Sequence, residues 1–113
     1  MTTPISEGSA PYRHVVLFSF KDSATREDIA NVERAFVALK DQIAEIVSLE
    51  WGTNVSPEGK DQGYTHCFFA TFKNKADLET YLPHPDHQHF GTILRPSLDK
   101  VLVLDYIAQT SVN

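Results

Sequence analysis

Three extended segments carry large apolar side chains on both faces, and this feature limits what the chain can fold into more than any other. His14-Val15-Val16-Leu17-Phe18-Ser19-Phe20-Lys21 lies between Pro11 and Asp22 and reads as a strand, with Val16, Phe18 and Phe20 on one side and Val15 and Leu17 on the other. Tyr64 to Phe72 repeats the pattern, with His66, Phe68, Ala70 and Phe72 facing one way and Cys67, Phe69 and Thr71 the other. Lys100 to Ile107 does so again through Val101, Leu102, Val103 and Leu104. Strands of this kind need cover on both faces.

The intervening segments supply cover for one face. Thr25-x-x-Asp28 is a weak relative of the capping box, and Ile29, Val32, Phe36, Leu39, Ile43 and Ile46 recur at steps of three and four, so a helix is expected over about 25 to 44. Val47, Leu49, Trp51 and Val55 then alternate with polar residues, giving a half-buried strand over about 46 to 55 with Gly52 as the expected bulge. After the turn-rich 56–63 connection and the strand from Tyr64, Asn74-x-x-Asp77 opens a short helix that Pro83 stops. Pro85 starts another, with His84 near its cap. The order β-α-β-β-α-β is the split arrangement of ferredoxin-like folds, an α+β protomer with a four-stranded antiparallel sheet and helices on one face. The second sheet face must be covered from outside the chain, and the expected partner is a second copy, in a homodimer with its sheets face to face.

Composition narrows the function classes. The 113 residues make one domain, expected over 13–113 behind a flexible leader at 1–12 without the features of a secretory signal. Ten Lys and Arg against fifteen Asp and Glu leave a formal charge of −5, which argues against a nucleic-acid or anionic-membrane reader. No apolar run approaches the roughly 20 residues that span a bilayer. The single cysteine, Cys67, has no partner in the chain for a disulfide, which fits a reducing, cytoplasmic setting, and it reads as a small buried hydrophobe on the interface side.

The opening strand His14 to Lys21, Trp51-Gly52, the block Gly63-Tyr64-Thr65-His66, the helix end Tyr81-Leu82-Pro83-His84-Pro85-Asp86-His87 and the closing Asp105-Tyr106 together resemble the stress-responsive α/β-barrel (dimeric A/B barrel, Dabb) family, from about Arg13 to Tyr106. The resemblance implies a ferredoxin-like protomer and a dimeric α/β barrel. A characterised member of that family is a cofactor-free cyclase that closes a ring in a linear polyketide by intramolecular aldol condensation. By that likeness Tyr81 matches the tyrosine that polarises the substrate carbonyl and His87 the histidine proposed as general base. His14 and His66 match pocket histidines, and Phe36 stands where the cyclase has a pocket tyrosine. No cofactor is implied.

Each of these residues also has a plainer reading. An imidazole near neutral pKa at a helix N-terminus is a natural proton acceptor, yet the cluster from His84 to His89 reads equally as a cap (His84), an inward ring (His87) and a solvent-facing one (His89). His84 and His87 are three apart, but His89 falls elsewhere and Cys67 is on a strand, so no metal site is expected. Tyr81 is either an oxyanion-type donor or an amphipathic core residue. His14 and His66 share the even-numbered strand face but lie at opposite ends of antiparallel strands. His66 is taken as the better candidate to orient His87 or bind a substrate carbonyl, and His14 as wall or structure. Two functions follow. One is a cofactor-independent lyase or cyclase whose pocket, walled by Phe18, Phe20, Phe36, Phe68 and Phe72, takes a small hydrophobic carbonyl or polyketide-like substrate. The other is a non-catalytic stress-associated or ligand-binding dimer. The first requires a cavity reached by both the Tyr81 hydroxyl and a His87 nitrogen.

Overall fold

The computed structural model describes residues 10–109; the expected leader at 1–12 therefore falls mostly outside them. Its elements are β1 (Tyr12–Phe20), α1 (Arg26–Gln42), β2 (Ile46–Thr53), β3 (His66–Phe72), α2 (Lys75–Tyr81), α3 (Pro85–Leu94), a short 3₁₀ turn (Arg95–Ser97) and β4 (Leu98–Ile107). The strands form one antiparallel sheet in the order β2-β3-β1-β4. This is the expected α+β, ferredoxin-like architecture.

Local chemistry sets the helix ends. Thr25 accepts from the Asp28 backbone and Asp28 accepts from the Thr25 backbone, a complete capping box. At the other end α1 stops at Gln42, two residues short of the expected limit. Ile43 turns extended, and Ile46 already belongs to β2; both stay buried. Asn74 caps α2, and the His84 ring nitrogen accepts from the Asp86 backbone to cap α3.

The bulge in β2 lies elsewhere than expected. Gly52 pairs regularly with Cys67, and the register slips between Ile46 and Ser48. The slip leaves Val47 more than half exposed and brings Ile46, Leu49 and Trp51 onto one face although Ile46 and Leu49 are three apart. That face is the helix side. Phe18, Phe68, Ala70, Phe72 and Ile46 from the sheet pack with Val32, Phe36, Leu39, Leu78, Tyr81 and Phe90 from the helices.

β4 is covered least. Its edge position leaves Val101 and Val103, on the helix side, and Leu102, Leu104 and Tyr106, on the open side, each at least 42% exposed. The helix layer thus stops short of β4, and the two-faced apolar pattern read from the sequence leaves even more surface open than the open sheet face alone.

Candidate active site

Register places the candidate residues in two groups along the helix-covered face. His14 sits opposite Ala70 on β3 and Asp105 on β4, whereas His66 sits opposite Phe18. Ala70 and His66 are four residues apart, about 13 Å along the strand. His14 and His66 accordingly do not meet.

At the His14 end, α2 delivers Tyr81 and the first turn of α3 delivers His87. The two rings lie 4.2 Å apart between centroids, with His14 at 6.1 Å and Phe72 at 4.9 Å from Tyr81. Pro83 lies between the two helices, and the Leu82 carbonyl is left for side-chain donors. That carbonyl accepts from His87 Nδ1 at 2.8 Å and from Gln88 Nε2 at 2.9 Å. A carbonyl only accepts; His87 therefore carries its proton on Nδ1 and, when neutral, its lone pair on Nε2. Burial lowers the His87 pKa from its ordinary value, outweighing the Leu82 contact that raises it, and the neighbouring His14 and His84 lower it further. Tyr81 is only 2% exposed, and burial pushes its phenol well above the usual tyrosine range, so it stays a proton donor. Among the described residues nothing hydrogen-bonds its hydroxyl.

His14 is held differently. Its Nδ1 lies 2.6 Å from Asp105 Oδ1, its cross-strand neighbour, and the carboxylate there can only accept. Asp105 escapes a local reading of the sequence because it follows four apolar residues and meets His14 only through the β1/β4 register, 91 residues away in the chain.

At the other end His66 is fully engaged. Nε2 lies 3.0 Å from Glu33 Oε2 and Nδ1 lies 2.9 Å from Thr65 Oγ1, while Trp51 and Phe18 stack on the ring. His66 does not orient His87; His14 is the histidine beside Tyr81 and His87. Between the ends, Phe36 stacks on Phe68 with centroids 4.0 Å apart and Phe90 closes over both. These three rings occupy the space that the pocket reading assigned to substrate. A concavity of about 550 Å³ opens instead on the uncovered sheet face under the 54–64 loop, lined by Leu17, Cys67, Phe69 and Leu102 among others, and neither Tyr81 nor His87 lines it. Burial and Glu50 push the Cys67 thiol up, which keeps it protonated.

The remaining histidines disperse. His84 caps α3, His89 is exposed, and among the described residues no three His, Cys, Asp or Glu side chains converge as a metal-binding set. No helix among them is long and apolar enough to cross a membrane.

Comparison with known proteins bears on the fold and the family. The family model described as Stress responsive A/B Barrel Domain matches residues 12–108. The stress-response A/B barrel domain-containing protein HS1 of Arabidopsis thaliana is 42% identical over 102 residues, covering 90% of this chain and 94% of its own. Olivetolic acid cyclase of Cannabis sativa is 31% identical over 94 residues, 83% of this chain and 93% of the cyclase. Among solved structures, the hydroxynitrile lyase of Passiflora edulis superposes with a TM-score of 0.82 at 25% identity, covering 92% of this chain and 98% of the lyase. A dimeric ferredoxin-like protein of unknown function from Bacteroides fragilis gives a TM-score of 0.70 at 27% identity, covering 87% of this chain and 96% of its own.

Proposed function

The chain belongs to the stress-responsive A/B barrel domain family, and from that premise we propose that it is a homodimer in which Tyr81 and His87 carry out cofactor-independent acid-base chemistry of the lyase or cyclase type on a small carbonyl or polyketide-like substrate. The observation that carries this reading is the pairing of a neutral imidazole, its Nε2 left open by the Leu82 contact, with a tyrosine held protonated by burial. His87 Nε2 takes a proton from the carbon next to a carbonyl, the C–H pair becomes the enolate, and the Tyr81 hydroxyl donates to the enolate oxygen. In a cyclisation the enolate carbon then bonds to a second carbonyl carbon of the same molecule, and the resulting alkoxide recovers the proton from His87. Two relatives whose names state such activities, a cyclase and a lyase, support the reading.

The homodimer is supported by the apolar residues left open on β4 and by the dimeric relative from Bacteroides fragilis. Light scattering at micromolar concentration is expected to give twice 12.7 kDa; a monomer would sink this part of the proposal. The unpaired Cys67 fits a cytoplasmic setting.

The chemistry is tested by deuterium uptake at the α-carbon of 2-heptanone in D₂O. The protein should accelerate it, with Tyr81→Phe slowing the protein-dependent rate about 100- to 1000-fold and His87→Gln about 100- to 10,000-fold. The Phe36, Phe68 and Phe90 rings that fill the centre, and a concavity of about 550 Å³ that lies away from Tyr81 and His87 where the catalytic reading requires one beside them, favour a second reading, a non-catalytic stress-associated or ligand-binding dimer. No exchange, together with no thermal shift by any small polyketide-like ketone, would select it.

A further inference from the structure

We propose that His14 is a second acid-base group of the Tyr81/His87 site and that Asp105 is the positioning residue that makes it one. His14 lies against Tyr81, is only 7% exposed, and reaches the site from the strand that faces α2. Its Nδ1 is committed to Asp105 Oδ1 at 2.6 Å, which places the proton on Nδ1 and, in the neutral ring, leaves the lone pair on Nε2. His87 has the same arrangement with a backbone carbonyl in place of the carboxylate. Two rings on different elements are therefore pinned through Nδ1 beside one tyrosine ring, and neither Nε2 has a hydrogen-bond partner among the described residues.

The two supports are not equivalent. A carbonyl fixes a tautomer, whereas a carboxylate also stabilises the imidazolium that forms when the ring takes up a proton. Tyr12 shares that carboxylate with His14. Its phenol is pushed up by burial, by the charges of Asp105 and Glu79 and by its hydrogen bond to Asp105, so it stays neutral beside the His14–Asp105 pair. Asp105 itself is held in register by the β1/β4 pairing of His14 with Asp105. A site with two acceptors and one donor suits a substrate that loses a proton at one atom and regains one at another. This inference rests on the reading of Tyr81 and His87 as the reacting pair.

The test separates the two. Histidine ring ¹⁵N–¹H correlation spectra of the unliganded protein need no substrate. They should show His14 as the Nδ1–H tautomer; in Asp105→Ala that preference should be lost, while the His87 signals keep their Nδ1–H pattern as a check on folding. Asp105→Leu, close in size and without an acceptor, provides the same comparison if the alanine variant fails to fold, with His14 expected to lose its single-tautomer signature. A wild-type His14 in the Nε2–H form, or one unmoved by both substitutions, would overturn the proposal. In the 2-heptanone exchange assay, His14→Gln should lower the rate at least tenfold and change the shape of its pH profile. An unchanged rate and profile beside a His87→Gln that abolishes exchange would also overturn it. Absence of exchange in the wild type counts against the parent reading alone, and the tautomer result then decides whether Asp105 positions His14.

Discussion

Each end of the helix-covered sheet face holds a buried histidine beside a carboxylate, yet the two ends use the pair differently. His66 spends both ring nitrogens, one on Glu33 and one on Thr65, and lies under Trp51 and Phe18. His14 spends one on Asp105 and keeps the other beside Tyr81 and His87. Buried histidine with a carboxylate partner is thus not in itself a sign of chemistry. An imidazole can exchange a proton with a guest molecule only where a ring nitrogen remains uncommitted.

The sharpest way to break this comparison is to remove the partition between the ends. Phe68 is stacked by Phe36 and touched by Phe18 and Phe90, so Phe68→Ala should cost about 3–5 kcal/mol in urea unfolding. A loss under about 1 kcal/mol would mean the centre is loose enough to admit a guest, and the two ends would then be one pocket. Next in size, Glu33→Ala leaves His66 Nε2 without its acceptor in a nearly sealed site and is expected to cost about 1–3 kcal/mol while leaving ketone exchange unchanged. Tyr81→Phe should do the reverse. With no hydrogen bond to lose among the described residues, it should shift stability by less than about 0.5 kcal/mol, measured in the same urea titration, and act on the reaction alone.

The smallest expected effect is one of pH. The folded His87 pKa lies below its ordinary value of 6.5, so the unfolded chain binds that proton first as the solution is acidified. The stability contributed by a neutral His87 is complete above pH 6.5, falls as pH drops toward the lower folded pKa, and levels off below it. His87→Gln should flatten this part of the stability profile in urea titrations run from pH 7.5 down to pH 5. A slope that survives the substitution would assign it to other groups.

Much of this was legible in the sequence where the signal is local. Thr25, Asn74, His84, Pro83 and Pro85 announce helix ends because capping and proline geometry act within a few residues. The alternation in β1 and β3 gave the covered face, and the spacing of His14 and His66 on antiparallel strands gave their separation. The sequence offers Gly52 as the bulge, whereas the register slips at Val47, because a bulge is set by how β2 registers on β3, which glycine content does not encode. The pairs His14 with Asp105 and His66 with Glu33 join residues 91 and 33 apart in the chain and exist only once strands and helix are in place. For that reason the sequence points to His66 as the neighbour of His87, a place that His14 holds. Phe36, read as part of a pocket wall, instead stacks on Phe68, since its ring reaches across from α1 to the sheet.

The strand order carries a consequence for how the chain is made. β1 is synthesised first but lies between β3 and β4, so its two hydrogen-bonding edges are completed only when residues 66–72 and then 98–107 have emerged. Folding of the sheet's centre must therefore follow synthesis of β4, through contacts of long sequence separation that close slowly. Until then a nascent chain presents an apolar first strand with nothing beside it, the state in which chaperone capture or mispairing competes with folding.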